Sequence, residues 1–151
     1  MSLKTWHQAA WLREHKTSPR EIQDLLALAD RDLKSASAPG IGPDWQHNIA
    51  YNAALSCAAA ALAVAGYRPA RGQHHYRLIH SLSLTMGSDM KETVRLLEAA
   101  RKKRNVGIYE RAGVIGAGEA KEILALANNL RGKVADWLSN NHPEYSSPRS
   151  P

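Results

Sequence analysis

The sequence contains no phenylalanine, and only 6% of its residues are aromatic. Its core must therefore be built from aliphatic and small side chains, with Ala and Leu prominent. Runs of β-branched residues are missing, and long-helix formers take their place, which argues against a sheet and for an all-α chain. There is one cysteine, Cys57, inside an alanine-rich stretch. An intramolecular disulfide is excluded, and so is any CxxC or Cys/His zinc spacing. A buried free thiol and a reducing, cytoplasmic setting are expected.

Other absences narrow the function. The apolar run Ala53 to Gly66 falls well short of the ~20 residues that span a bilayer. Met1 to Ala10 lacks the charged-then-apolar pattern of a signal sequence. The glycine-rich segment Gly113 to Gly118 has no Walker lysine and no preceding strand, so it reads as a linker. There is no Gly-x-Ser-x-Gly and no Cys/His nucleophile arrangement. Glu119 and Glu122 sit near a helix start, where they suit the dipole. Without a Glu-x-x-His pair they do not form a di-metal set. No metal or cofactor is expected.

What remains is a chain of 151 residues with net charge +6 and pI near 9.7. That length makes one domain with a real core, assigned here to residues 1–141. The polar, proline-bearing tail 142–151 is expected to be disordered. The charge suits an anionic partner, although magnitudes of roughly 2–8 are also ordinary for solubility.

The helices announce themselves by their ends. Residues 2–15 carry Trp6, Ala9, Ala10 and Trp11 at helical spacing, which predicts a short amphipathic helix. Its tryptophans need a surface to cover, on the chain's own bundle or on a second subunit. Ser18-Pro19-Arg20-Glu21 is a helix start with a capping box, followed by the stripe Ile22, Leu25, Leu26, Ala29 and Leu33. Pro43 opens a helix that is small and apolar all round, hence central. Gly66 and Pro69 end it. Residues 72–86 form a third main helix, which Gly87 ends. Ser88-Asp89 caps the next helix, and the last runs from Glu119 to Asn140. The expectation is an antiparallel up-down bundle of four long helices plus a short N-terminal helix.

The helix beginning near Ser88 holds the most informative conflict. Met90, Val94, Leu97, Ala100 or Arg101, Arg104 and Ile108 share one face by their spacing of three, four and seven. A guanidinium on that face needs acceptors, or it lines a groove. Arg101, Lys102 and Arg104 are candidate phosphate contacts. Against this, cations near a helix C-terminus are favoured by the macrodipole, and Lys102 and Lys103 point away from the apolar face. A carboxylate of another helix is the competing explanation for Arg104.

Arg104-Asn105, three residues, then Tyr109-Glu110, behind a basic helix, resembles the signature helix of the HEPN family. Tyr51-Asn52-Ala53-Ala54-Leu55, the alanine run, Gly66-Tyr67-Arg68-Pro69 and His74-His75 resemble the preceding helix and turn. The likeness covers about Asp44 to Glu110. It implies a small helical bundle of the ribonuclease and toxin lineage, commonly homodimeric and often partnered with a minimal nucleotidyltransferase. It also implies a site in which Arg104 grips phosphate and Asn105 orients it. Tyr109 stands where the family's histidine would be. Tyrosine, with a pKa near 10, is a poor base at neutral pH, but it can donate a hydrogen bond or stack on a base.

The expectation is thus an RNA- or nucleotide-binding protein, catalytically degenerate. A non-enzymatic interaction protein that partners a nucleotidyltransferase or another acidic protein through Trp6, Trp11 and the basic helix is the alternative, and an active metal-independent endoribonuclease is a third. His74, His75 and His80 have poor spacing for a metal. A neighbouring helix that brought one of them beside Arg104 would restore an acid/base group.

Overall fold

The computed structural model describes residues 1–110 and 115–146, with the side chains of 105–110 excepted. The chain is a bundle of helices packed side by side: α1 Leu3–Gln8, α2 Pro19–Ala36, α3 Pro43–Val64, α4 His74–Met86, α5 Lys91–Glu110 and α6 Ala117–Asn141. Five of these have 13 to 25 residues, one more than the four long helices expected. Among the described residues, no helix is long and apolar enough to cross a membrane.

Most helix ends follow the local chemistry. Ser18 accepts the backbone N–H of Glu21, and Pro19 occupies the first turn of α2. The Glu21 carboxylate does not close the expected capping box. It accepts from Thr17 Oγ1 and sits 2.6 Å from His15 Nε2, tying the incoming strand to α2. Gly66 and Gly87 adopt φ of +99° and +100°, left-handed values that suit glycine where α3 and α4 stop. A 3-10 turn, Ser88–Met90, leads into α5. Ala117 and Gly118, expected in a linker, already belong to α6.

The N-terminal segment differs from expectation. A Ser2–Thr5 capping box starts α1, but the helix ends at Gln8 rather than running through residues 2–15. Ala10 takes φ +63° and reverses the chain. Strand β1, Leu12–Glu14, then pairs antiparallel with β2, Tyr67–Pro69, in the register Leu12–Pro69, Arg13–Arg68 and Glu14–Tyr67. Bonds from His15 N to Gly66 O and from Ala70 N to Trp11 O extend the ladder. The reason is packing. The reversal sets Trp11 against Trp6, ring centres 5.4 Å apart. Trp6 and Leu12 are then buried against Leu62 of α3. The chain's own bundle covers Trp6, leaving it 3% exposed.

Helix α3 is central, as its all-round apolarity predicts. It packs against α2, α4, α5 and α6, and Ala50, Ala53, Ala54, Ala58, Ala60 and Ala61 are all fully buried. Side chains this short let neighbouring backbones approach closely. On α2, Ile22, Leu26, Ala29 and Leu33 face inward; on α6, Ile123, Ala127, Leu130, Val134 and Leu138 do so. Cys57 is fully buried, and burial pushes its thiol up to about 12, so it is chemically inert.

The segment after α6 also departs from expectation at its start. Pro143–Tyr145 forms a 3-10 turn. Gln23 donates to the Tyr145 carbonyl at 2.8 Å, and the Tyr145 side chain packs on the core. Residues 147–151 lie outside the described residues.

Candidate functional site

On α5 the expected inward face is present. Leu97 and Ala100 are buried, as is Met90 in the turn before the helix, with Arg104 half-buried one turn further on. The basic run does not form a single strip. Arg101 turns toward α4, Lys103 reaches the Glu119 carboxylate of α6 at 3.2 Å, and Arg104 reaches α3. Lys102 is exposed.

Arg104 meets neutral partners. Its Nε donates to Asn48 Oδ1, and its guanidinium carbon lies 5.3 Å from the centre of the Tyr51 ring. Among the described residues, no carboxylate pairs with it. The amide and the π-face hold the cation in place without cancelling its charge. This outcome differs from the ion pair that competed with the phosphate reading.

Tyr51 links Arg104 to α4. The ring is fully buried, and its hydroxyl lies 3.3 Å from His75 Nδ1. Burial pushes the phenol up to about 12, against the opposing pull of Arg104 and Arg101. The hydroxyl therefore keeps its proton at neutral pH. His75 moves the other way. Burial lowers its pKa below the ordinary 6.5, and Arg104, His74 and Arg101 lower it further. The result is a neutral imidazole linked through a protonated tyrosine to an arginine. A neighbouring helix has thus brought a histidine close to Arg104.

His75 opens onto a cleft of about 500 Å³ lined by Gln73, His74, Tyr76 and Arg101 as well. One carboxylate outside that lining holds Arg101. Glu98 accepts from Arg101 through Oε1 and meets His80 Nε2 at 2.6 Å through Oε2. Burial alone would raise the Glu98 pKa. The bonds from Arg101 and His80 outweigh burial and hold the carboxyl below 4.5. Tyr76 is sandwiched into the same group, its ring centre 4.2 Å from that of His80 and 5.5 Å from the Arg101 guanidinium. Arg101 is consequently locked in orientation while still lining the cleft.

One turn before Tyr51 on α3, His47 is 4% exposed. Burial lowers its pKa; Glu119 opposes this, and Arg104 and Lys103 add to it. His47 lies in a second groove, of about 630 Å³, between α5 and α6.

Sequence reasoning placed Arg104 and Arg101 near this site but missed Asn48, His47 and Glu98. The available signal was the polar pair His47-Asn48 interrupting the apolar α3. The side chains of Asn105 and Tyr109, assigned roles by the HEPN resemblance, lie outside the described residues. Among the described residues, no cluster of three His, Cys, Asp or Glu is placed to hold a metal ion.

No protein-family model matches the chain, and no curated protein or solved structure matches it. What the geometry defines is a helical bundle with a cationic, imidazole-bearing cleft between α4 and α5, next to the contact of Arg104 with Tyr51 of α3.

Proposed function

We propose that this protein binds the phosphates of RNA or of a nucleotide at the junction of α3, α4 and α5, as a HEPN-like member of the ribonuclease and toxin lineage. One observation carries the reading. Among the described residues, Arg104 is fixed by an amide oxygen and an aromatic face rather than by a carboxylate, beside a second arginine and His75. A positive charge that is positioned but not neutralised favours an anion, and a guanidinium matches phosphate in shape. Arg101 supplies a second contact, with Lys102 at the exposed margin. Within this reading Asn105 orients the phosphate and Tyr109 donates to it or stacks on a base. A homodimer belongs to the same reading, and a nucleotidyltransferase partner to the alternative of a non-enzymatic interaction protein.

The test is binding of single-stranded RNA across a salt series. Arg104→Ala should weaken binding by about tenfold or more, in line with loss of a charge-assisted bidentate contact. Lys102→Ala should change affinity less than threefold at moderate salt, since Lys102 is exposed. Equal effects would sink the specific role of Arg104.

His75 favours a second reading, a metal-independent endoribonuclease. A neutral imidazole beside a phosphate-binding arginine has the properties of a proton-transfer group at pH 7. In that chemistry the RNA 2′-hydroxyl loses its proton and bonds to phosphorus. The 5′-oxygen leaves and takes up a proton. RNA cleavage by the native protein that is lost in His75→Ala, with RNA affinity retained, would establish it. Absence of cleavage leaves the binding reading in place.

A further inference from the structure

Trp45 is 66% exposed, while the other three tryptophans are buried or half-buried. Their indole faces are occupied: Trp6 and Trp11 meet each other, and Trp137 meets His142. Among the described residues, neither a ring nor a cation covers Trp45. A single exposed tryptophan is not unusual in itself. Its position supplies the argument. Trp45 stands three residues before Asn48, so the two are neighbours on the surface of α3. Asn48 is the residue that holds Arg104. The bare indole therefore lies within about one helical turn, roughly 5.4 Å along the axis, of the arginine's anchor. It sits in the first turn of a helix opened by Pro43, on rigid backbone rather than a loop.

We infer that Trp45 is a base-stacking platform, and that the ligand of this site is single-stranded RNA with one nucleobase lying on the Trp45 indole while an adjoining phosphate engages Arg104. This rests on the phosphate-binding reading above and adds the base to it. Stacking on an indole needs an unpaired base, because a base inside a duplex has both faces covered by its neighbours. Preference for single strands follows, with little dependence on sequence, since every base offers a π-face.

The experiment titrates the full chain with a short single-stranded RNA and with an abasic oligomer of the same length, keeping sugars and phosphates but no bases. Trp45→Ala should lose about tenfold in affinity for the RNA and less than twofold for the abasic oligomer. Trp45→Phe should recover most of the loss. The residue is exposed, so an unchanged thermal melt should accompany both variants. Equal losses for the two oligomers, or no loss for either, would overturn the platform while leaving phosphate binding intact. Failure of the native protein to bind both oligomers would overturn the phosphate reading and the platform together.

Discussion

The guanidinium of Arg104 and the ring of Tyr51 face one another at 5.3 Å, across the contact between α5 and α3. The tyrosine is the residue with two duties. Its face steadies the arginine, and its hydroxyl reaches His75 on α4. Three helices therefore converge on one side chain.

Removing these duties separately should have different costs. Tyr51→Phe keeps the ring and the cation–π contact but deprives His75 of its partner. A loss of about 1 kcal/mol in urea denaturation is expected, with RNA affinity unchanged within twofold. Tyr51→Ala opens a cavity under three helices and should cost about 3–5 kcal/mol. Comparable losses in the two variants would make the hydroxyl, rather than the ring, the main anchor.

Acid should destabilise the protein in two stages. His47 and His75 both have pKa values lowered by burial from the ordinary 6.5. Below that pH the unfolded chain binds protons that the folded chain resists, so stability falls as pH drops through 6.5 and below. The carboxyl of Glu98 is lowered from 4.5, so its contribution is present above that value and is lost as pH falls further. Melting temperatures should decline between pH 7 and 5, then more steeply below 4.5. His75→Gln should flatten the first decline whatever its effect on absolute stability. A native melting temperature constant from pH 7 to 5 would contradict this account.

The N-terminal hairpin makes a separate test. Trp6 is buried against Leu12 and Leu62 within one chain. Trp6→Ala should cost about 3–5 kcal/mol in the isolated protein. A partner-facing tryptophan would cost far less and would alter association instead. Circular dichroism melts at two protein concentrations distinguish the cases.

These contacts also show which parts of the structure were legible in the sequence. Helix starts at Ser18-Pro19 and Pro43, and stops at Gly66 and Gly87, were readable because caps act within a few residues. The direction of Arg104 was readable because helical period fixes which way a side chain points. What it meets there was not. Asn48 lies 56 residues away in the chain, and Tyr51 and His75 are 24 apart. No local pattern encodes such pairings. The strands failed for a different reason. Each has three residues, too few for alternation to register. The spacing of Trp6, Ala9 and Ala10 imitates a continuing helix, while Ala10 turns left-handed to bring Trp11 back onto Trp6.

Glu98 supplies the last prediction, because its carboxylate meets two side chains at once. Oε1 takes the Arg101 bond and Oε2 the His80 contact. Glu98→Gln keeps the shape but leaves one acceptor oxygen, and the new amide N–H₂ opposes one of the two donors. Stability should fall by about 1–3 kcal/mol, the cost of leaving a half-buried polar group without its partner. Binding should respond in another way. The substitution removes the negative charge paired with Arg101, so the cationic field at that arginine grows. If Arg101 stays in the cleft, affinity for RNA at low salt should rise and the slope of log K against log salt should steepen by up to about one unit. If Glu98 is instead what aims Arg101 at the ligand, that arginine swings away and the slope becomes shallower. The sign of the change in slope separates a carboxylate that merely tempers the field from one that positions Arg101, and an unchanged slope would place Arg101 outside the binding surface.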